Sequence, residues 1–468
     1  MILYYIISMS SSKYITIRPD NVSSDATISF KAGFPILKFT IQSQAGLLDP
    51  RTIRINGDLK VFKDGARNPV YSDDANKITM DNRLGAFALW DQLVIRHAKS
   101  KSVCEHIRHY NRYMQTYLAL TSSKQDLLGH LNQAILSEPN SEAMRINVVS
   151  SGTAAEGLAA IAKSFSCHLP SGFIMSGNTI NLMESSFGGI EVELHLAPDS
   201  NVLFSQGGAT AGVENAFYEL SNLTLSCEVM EVPAEAMAAA QSQTSGALEF
   251  NTITSLYTSI STSNAQIQYS LGLRNLQSCF MSFVPSEHLN TLTDNGLVAS
   301  YPGKRDNSLV RFKRVQWLKG GAKYPVDFDV VGTTETAGNT TIANIGEFTT
   351  GDSQLARQFI ESVVPEYADD RVSITQRNAS RNYDMADTGD NGTYKRVVDG
   401  GACFGLGMRY SKFNLGQDFS KEQWGVSLET DLGEGDAGGA AGLAQSVFIF
   451  FKAKAVLAWS ESGVQMIQ

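Results

Sequence analysis

Apolar and polar residues alternate along much of the chain, which is the pattern of half-buried β-strands. In residues 51–62 the apolar positions are Ile53, Ile55, Leu59 and Val61. The same alternation occurs in residues 189–197, 404–410 and 424–430. Strands of this kind belong to antiparallel sheets with one covered face. The pattern therefore predicts a mainly β protein.

Two predicted strands are unusually long, at residues 217–232 and 446–459. Strands usually have five or six residues, so we expect residues 446–459 to lie in the middle of a large sheet. The core residues predicted in this strand are Ile449, Phe451, Leu457 and Trp459. Each long strand ends one half of the chain, which indicates two β units of similar plan.

Helical patterns are few. We predict helices at 103–119, 124–137, 153–164 and 353–364. An Ala-, Gln- and Ser-rich stretch at 233–250 follows the first long strand and is the best candidate for a linker.

The segment from Cys104 to Tyr117, "CEHIRHYNRYMQTY", is rich in side chains that bind metals or catalyse reactions. His106 and His109 are three residues apart and, on a helix, would share a face. A zinc site needs at least three protein ligands, but Cys104 would lie on another face, and no second histidine pair has helical spacing. The apolar residues recur at helical spacing, at Val103, Ile107, Tyr110, Met114 and Tyr117. We therefore predict an amphipathic helix whose polar side faces solvent or a neighbouring subunit, and no metal site.

The formal net charge of −9 argues against a protein that coats nucleic acid, because such a protein needs a basic face. The best local basic stretch is 304–319, where basic and apolar residues alternate. We interpret it as a strand with one solvated face. Charged residues make up only 18% of the 468-residue chain, which suits a β protein that buries much surface against neighbours.

The five cysteines are far apart and show no paired spacing. They are Cys104, Cys167, Cys227, Cys279 and Cys403. This excludes a recognisable zinc motif or disulfide framework. We expect reduced, mostly buried thiols and synthesis inside a cell.

No sequence motif points to catalysis. The chain contains no G-x-S-x-G elbow and no phosphate-binding loop. Residues 384–392 resemble a calcium loop, but their aspartates are three apart rather than two and no glutamate closes the loop. Residues 431–444 are interpreted as a hairpin tip. We therefore predict no enzyme activity and no catalytic, cofactor-binding or metal-binding residue.

Residues 1–30 are predicted to form an N-terminal arm. The sequence is apolar for about eight residues, and a Ser-rich stretch follows. Such a segment cannot bury its apolar tip against itself. An alternative is that translation starts at Met9, so that the tip is absent from the protein.

The order of these segments resembles that of the double jelly-roll major capsid proteins of icosahedral DNA viruses, which include polinton-like viruses, virophages and nucleocytoplasmic large DNA viruses. The segments that carry the resemblance are 48–62, 83–130, 269–288 and 446–459. The similarity is one of layout over most of the chain. It implies two consecutive eight-stranded antiparallel jelly-roll sandwiches with short helical insertions.

On this interpretation, residues 31–232 form the first jelly roll, with a helical insertion at about 103–164, and residues 251–468 form the second. The resemblance implies a homotrimer of pseudo-hexagonal outline in the virion capsid. Its partners would be neighbouring capsomers, minor capsid or cement proteins, penton proteins and an internal membrane reached by the N-terminal arm, with no specific nucleic acid binding.

Two other functional classes stay open at this point. One is a minor capsid, vertex or spike protein of a virion, or a carbohydrate-binding β-sandwich. The other is an enzyme on a β scaffold, which would need a cleft of converging carboxylates.

Overall fold

The computed structural model describes residues 11–23, 26–33, 35–71, 78–81, 84–122, 134–137, 153–205, 213–231, 245–293, 295–297, 312–325, 330–331, 350–363, 405–411, 415–430, 444–460 and 463–467. The chain divides into two compact units. The first comprises Met1–Asn111, Gln125–Thr254 and Lys454–Gln468, and the second comprises Arg112–Lys124 and Ser255–Ala453.

The first unit is built from antiparallel sheets. Its strands are β1 (Ser12–Ile17), β2 (Ile36–Ile41), β3 (Leu47–Phe62), β4 (Ile78–Met80), β5 (Trp90–His97), β6 (Val103–Arg108), β7 (Lys163–His168), β8 (Ile180–Asn181), β9 (Ile190–Leu196), β10 (Leu203–Ser205) and β11 (Phe217–Met230). One sheet has the order β1-β11-β3-β7, with β8 beside β3, and another has the order β2-β9-β5-β6; β4 and β10 form a separate pair. The chain therefore switches repeatedly between two sheets, as in a jelly roll.

The second half of the chain repeats this plan. Its strands are β12 (Gly246–Ile260), β13 (Asn264–Tyr269), β14 (Leu276–Pro285), β15 (Phe312–Lys319), β16 (Ala322–Lys323), β17 (Val330–Val331), β18 (Gly405–Arg409), β19 (Trp424–Thr430), β20 (Gln445–Ser460) and β21 (Gly463–Ile467). The orders are β12-β20-β14-β18, with β21 beside β20, and β13-β19-β15-β16, with β17 beside β15. The first unit includes β12 up to Thr254, β20 from Lys454 onwards and all of β21. The predicted mainly β, antiparallel fold class is confirmed.

The helices are α1 (Tyr110–Thr121), α2 (Asp199–Val202) and α3 (Thr350–Val363), and short 3-10 turns lie at Gly85–Leu89, Ala154–Glu156, Ile174–Ser176 and Ser286–His288. The helix predicted at 353–364 is confirmed as α3. The helix predicted at 124–137 lies outside the described residues except for 134–137. Among the helices described, none combines the length and the apolar character that crossing a membrane requires.

The helix predicted at 103–119 is wrong for its first six residues, which form β6. A tight turn at 98–102, in which the His97 N–H donates to the Ser102 carbonyl over 2.9 Å, pairs β6 with β5. The hydrogen bonds of this hairpin outweigh the helical spacing of Val103 and Ile107. His109, with φ of +54°, separates the strand from α1.

The helix predicted at 153–164 is also wrong. Thr153 and Glu156 form a capping box around one 3-10 turn, but Gly157 follows in a left-handed conformation with φ of +61° and ends it. The chain then enters β7, which pairs with β3. The Ala-rich residues 157–162 are therefore neither helix nor strand, and sheet pairing begins at Lys163.

The predicted N-terminal arm is too long. Residues 12–17 form β1, which pairs along its length with β11. Ile28 is 2% exposed and bridges Leu220. Residues 1–10 lie outside the described residues. Of the predicted linker, residues 233–244 also lie outside them, and residues 246–250 belong to β12.

Buried residues follow the predicted alternation closely. In β3, Ile53, Ile55, Leu59 and Val61 are all buried, and Ile449, Phe451 and Leu457 of β20 are fully buried. Trp459 is only half-buried, near the end of β20, where its ring lies over Gly246. Phe448 and Phe450, on the other face of β20, are buried as well, so this part of the strand is covered on both faces.

Candidate functional site

The histidine-rich segment proves to be a strand and a buried helix rather than a metal site. Cys104 is a free, fully buried thiol whose pKa burial raises to about 12. His106 Nε2 lies 2.9 Å from Gln92 Oε1 on the neighbouring strand, and His109 Nδ1 lies 3.9 Å from Asp91 Oδ1. Within the described part of the chain, no three His, Cys, Asp or Glu side chains are grouped so that they would hold a metal ion.

The polar side of α1 does not face solvent, contrary to the prediction. Asn111, Arg112, Gln115 and Thr116 are all buried. Arg112 Nη1 donates to the Gly296 carbonyl over 2.6 Å, and its guanidinium lies 3.9 Å from the centroid of the Phe448 ring. Arg112 therefore stabilises the second unit by a hydrogen bond and a cation–π contact.

A charged network covers the polar face of the sheet β2-β9-β5-β6. At its centre, Glu193 on β9 accepts a hydrogen bond from His195 Nε2 over 2.6 Å and lies within 3.6 Å of Lys38 and Arg96. Burial alone would raise the pKa of Glu193. The hydrogen bond from His195 and the charges of Lys38, His195 and Arg96 outweigh burial and lower that pKa. A carboxylate held in this way is ionised and engaged, which suits a structural ion pair better than a general base.

The charges of this network also act on His106. Burial lowers the pKa of His106, and the charges of Arg108, His195 and Arg96 lower it further. His106 is therefore neutral near pH 7, and its Nε2–H donates to Gln92 Oε1.

Glu105, next to His106 on β6, is a buried carboxylate with a structural task. It is 1% exposed and accepts hydrogen bonds from the backbone N–H groups of Gly172, Phe173 and Ile253 at 2.9–3.2 Å. Burial raises the pKa of Glu105, and these hydrogen bonds act against the rise. With its oxygens bonded to backbone donors from two segments, Glu105 joins the turn at 171–173 to β12. Sequence reasoning did not identify this residue, because nothing local marks a glutamate that binds distant N–H groups.

A surface cavity of about 180 Å³ lies beside β1 and the bulge of β11. Its lining residues are Arg18, Pro19, Ser23, Ala26, Ile28, Asn222, Leu223 and Thr224. Among the described residues that line it there is no carboxylate, histidine or cysteine, so none of them could act as a general base for the hydroxyls of Ser23 and Thr224. Ligand pockets of enzymes are usually about 300–1,000 Å³, and this cavity is smaller.

Of the remaining predicted segments, only some lie among the described residues. Residues 304–311, 384–392 and 431–443 lie outside the described residues. Residues 312–319 form β15, in which Val315 and Trp317 are buried and Arg314 is exposed, as the alternation predicted. The four described cysteines are free and buried, which confirms the expectation for them, while Cys403 lies outside the described residues.

Comparison with known proteins gives no family model that matches the chain and no similar curated protein. Solved structures do match. The "PBCV-1 virus capsid, quasi-atomic model" is 11% identical, covers 98% of this chain and 97% of the matched chain, and has a TM-score of 0.56. PBCV-1 VP54, fitted into a reconstruction of the virophage Sputnik, gives the same values.

The Faustovirus major capsid protein is 9% identical, with 96% of this chain and 91% of that chain covered and a TM-score of 0.50. At such low identity, the likeness establishes the fold alone. These similarities extend over nearly the whole length of both partners. The chain therefore has, from end to end, the fold of the PBCV-1 and Faustovirus capsid proteins.

Proposed function

We propose that this chain is a structural major capsid protein of a virion, with no enzyme activity. The observation that carries the proposal is the end-to-end fold likeness to two capsid proteins, which covers at least 96% of this chain. The polar clusters of the described residues agree with it, because their charged groups bind one another or the backbone instead of converging on a cleft.

The subunit assembles as a homotrimer of pseudo-hexagonal outline, and these capsomers build an icosahedral shell. Neighbouring capsomers are its main partners, with minor capsid or cement proteins and penton proteins at special positions of the shell. Low charge content supports this assignment, because a subunit of a shell buries much of its surface against other subunits.

Analytical ultracentrifugation and negative-stain microscopy of the purified chain test the proposal. The expected result is a trimer mass, with particles of hexagonal outline that form arrays or closed shells at higher concentration. A stable monomer, or a soluble oligomer that never forms hexagonal particles, would overturn the proposal. The soluble oligomer would favour a vertex, spike or carbohydrate-binding sandwich.

A further inference from the structure

Residues 157–162, "GLAAIA", form an exposed apolar strip at one edge of the first unit. Leu158 is 50% exposed and Ile161 is 56% exposed. The strip carries no charge and leads directly into β7. Contiguous exposed apolar surface of this kind marks a contact site more often than a solvated loop.

The strand that follows the strip is an open sheet edge. β7 pairs with β3 on one side, and on its other side no strand of the described residues pairs with it. Unpaired N–H and C=O groups on an edge strand bind an added strand readily. The strip and the β7 edge together form one surface that offers both apolar side chains and main-chain hydrogen bonds.

The first eight residues, "MILYYIIS", match this surface chemically. They contain no charged residue, and all but the last are apolar. Because the run is continuous, an extended strand of these residues has apolar side chains on both faces, and Ile and Tyr have high strand propensity. This segment would therefore add as a strand and cover apolar side chains.

The arm of the same chain is too short to reach the apolar strip. Ser12 pairs with Met230, which pairs with Leu47 at the start of β3, whereas Lys163 pairs with Leu59 far along β3. The stretch of β3 from Leu47 to Leu59 spans about 40 Å at ~3.3 Å per residue, and three strand spacings add about 14 Å across the sheet. The chain from Met1 to Ser11 spans at most about 36 Å when fully extended.

We propose that residues 1–8 of one copy dock on the apolar strip and the β7 edge of a second copy. β1 and β7 lie at opposite edges of the same sheet, so the contact is head-to-tail and propagates around a ring or shell. This inference rests on the proposed capsid function, because it takes the second copy to be a neighbouring subunit. The buried area is small, so the contact gains its strength from the high local concentration of subunits in the assembly.

Cross-linking between two variants, each with one cysteine added to the five of the unaltered chain, tests the contact directly. Ile6→Cys protein is mixed with Ile161→Cys protein, and a mild oxidant is added to the free chains at high concentration and to assembled particles. A disulfide-linked dimer of the two variants is the expected product, and it joins different chains by construction. Mixtures of Ile6→Cys protein with Gln266→Cys protein, whose exposed site lies on β13 of the second unit, and with the unaltered chain are the matched controls.

Absence of the dimer in both samples, or equal yield with the Gln266→Cys control, overturns the proposal. A membrane-binding result would also overturn it. In that case no dimer forms, the unaltered chain floats with anionic lipid vesicles, and deletion of residues 1–8 abolishes the flotation. Because free chains are tested as well as particles, a failure to build shells is distinguished from a failure of this contact.

A second measurement tests whether residues 1–8 and Ile161 belong to the same contact. Ile161→Ser and deletion of residues 1–8 should each raise the protein concentration needed for assembly. Since both remove the same contact, the combined variant should resemble the single ones, and additive effects would contradict the proposal.

Discussion

Phe451 is the buried residue with the clearest consequences at the residue scale. It is fully buried in β20, and its ring stands edge-on to Trp424 with 4.8 Å between the centroids. Phe451→Asp should abolish soluble folded protein, because it removes about 1.5–3 kcal/mol of apolar burial and leaves an unpaired carboxylate in the core. Soluble yield and thermal melting measure the effect.

Phe451→Leu is the control for this substitution. It keeps the site apolar and should give folded protein with a melting temperature a few degrees lower. Normal yield and melting of the Phe451→Asp protein would contradict the burial of this side chain.

The carboxyl group of Asp199 should make the stability of the folded protein depend on pH. Asp199 begins α2, and its Oδ1 accepts the Tyr218 N–H over 3.1 Å. Burial raises its pKa from 3.8 to about 6. The folded protein therefore binds this proton more tightly than the unfolded chain, so the stability from this group is full below about pH 4 and is lost as the pH rises through about 6.

Asp199→Asn removes this titration and resembles the protonated form. The free energy of unfolding of the unaltered protein, relative to the variant, should fall by at most about 3 kcal/mol between pH 4 and pH 7. Denaturant melts of both proteins across this range measure the difference. A difference that is constant with pH, or that grows as the pH rises, would show that Asp199 has an ordinary or lowered pKa.

At the scale of elements, two glycines determine how α3 packs on the sheet of the second unit. A Cβ at Gly407 would lie 1.8 Å from Ser362 Oγ, and one at Gly405 would lie 2.3 Å from the Phe359 ring. The end of α3 is also held by side chains from the sheet: Ser278 Oγ donates to the Ser362 carbonyl over 2.7 Å, and Lys452 Nζ donates to the Val363 carbonyl. These donors bind carbonyls that a helix terminus leaves unpaired.

Gly407→Ala should displace α3 from the sheet. Overpacking of this kind typically costs about 1–3 kcal/mol, and the loosened helix should become accessible to protease. Melting temperature and limited proteolysis within 350–363 are the measurements. Gly65→Ala is the control, because the nearest atom to its added Cβ is 3.7 Å away. Equal behaviour of the two variants would mean that α3 does not pack closely on β18.

At the scale of the whole molecule, the two units share a strand order but differ in how the outer face of one sheet is covered. In the first unit, the outer face of β3 and β7 carries short polar side chains that bind one another: Ser164 Oγ donates to Asp58 Oδ1 over 2.6 Å, and Ser166 Oγ donates to Asn56 Oδ1 over 2.7 Å. In the second unit, every residue of β14 is buried, and α3 packs on the sheet. The first face is compatible with water, whereas the second needs its cover.

Two truncated proteins distinguish the contribution of residues 1–10 to stability from that of β1. Deletion of residues 1–10 should leave the melting temperature unchanged, because β1 begins at Ser12. Deletion of residues 1–25 removes β1 and leaves one edge of β11 unpaired, so it should lower the melting temperature and promote aggregation. Thermal melting and light scattering distinguish the two. Equal melting of both truncated proteins would show that β1 contributes nothing to the first unit.

By itself, the sequence determined the fold class and the inward face of the main strands. Burial of apolar side chains at every second position needs only local pattern, and β3, β19 and the second half of β20 follow it. The free, buried cysteines and the absence of recognisable catalytic motifs could also be inferred, since both depend on residue type and spacing.

Only the tertiary structure decided which segments with mixed signals became strands. Residues 103–108 have helical spacing and residues 163–164 end a predicted helix, yet both segments lie in strands, and local propensity does not include the hydrogen bonds to their partner strands. The burial of Arg112 and the binding of Glu105 to the N–H groups of Phe173 and Ile253 likewise depend on partners far along the chain. Contacts between residues remote in sequence have no local signature, and so they appear only when the chain is folded.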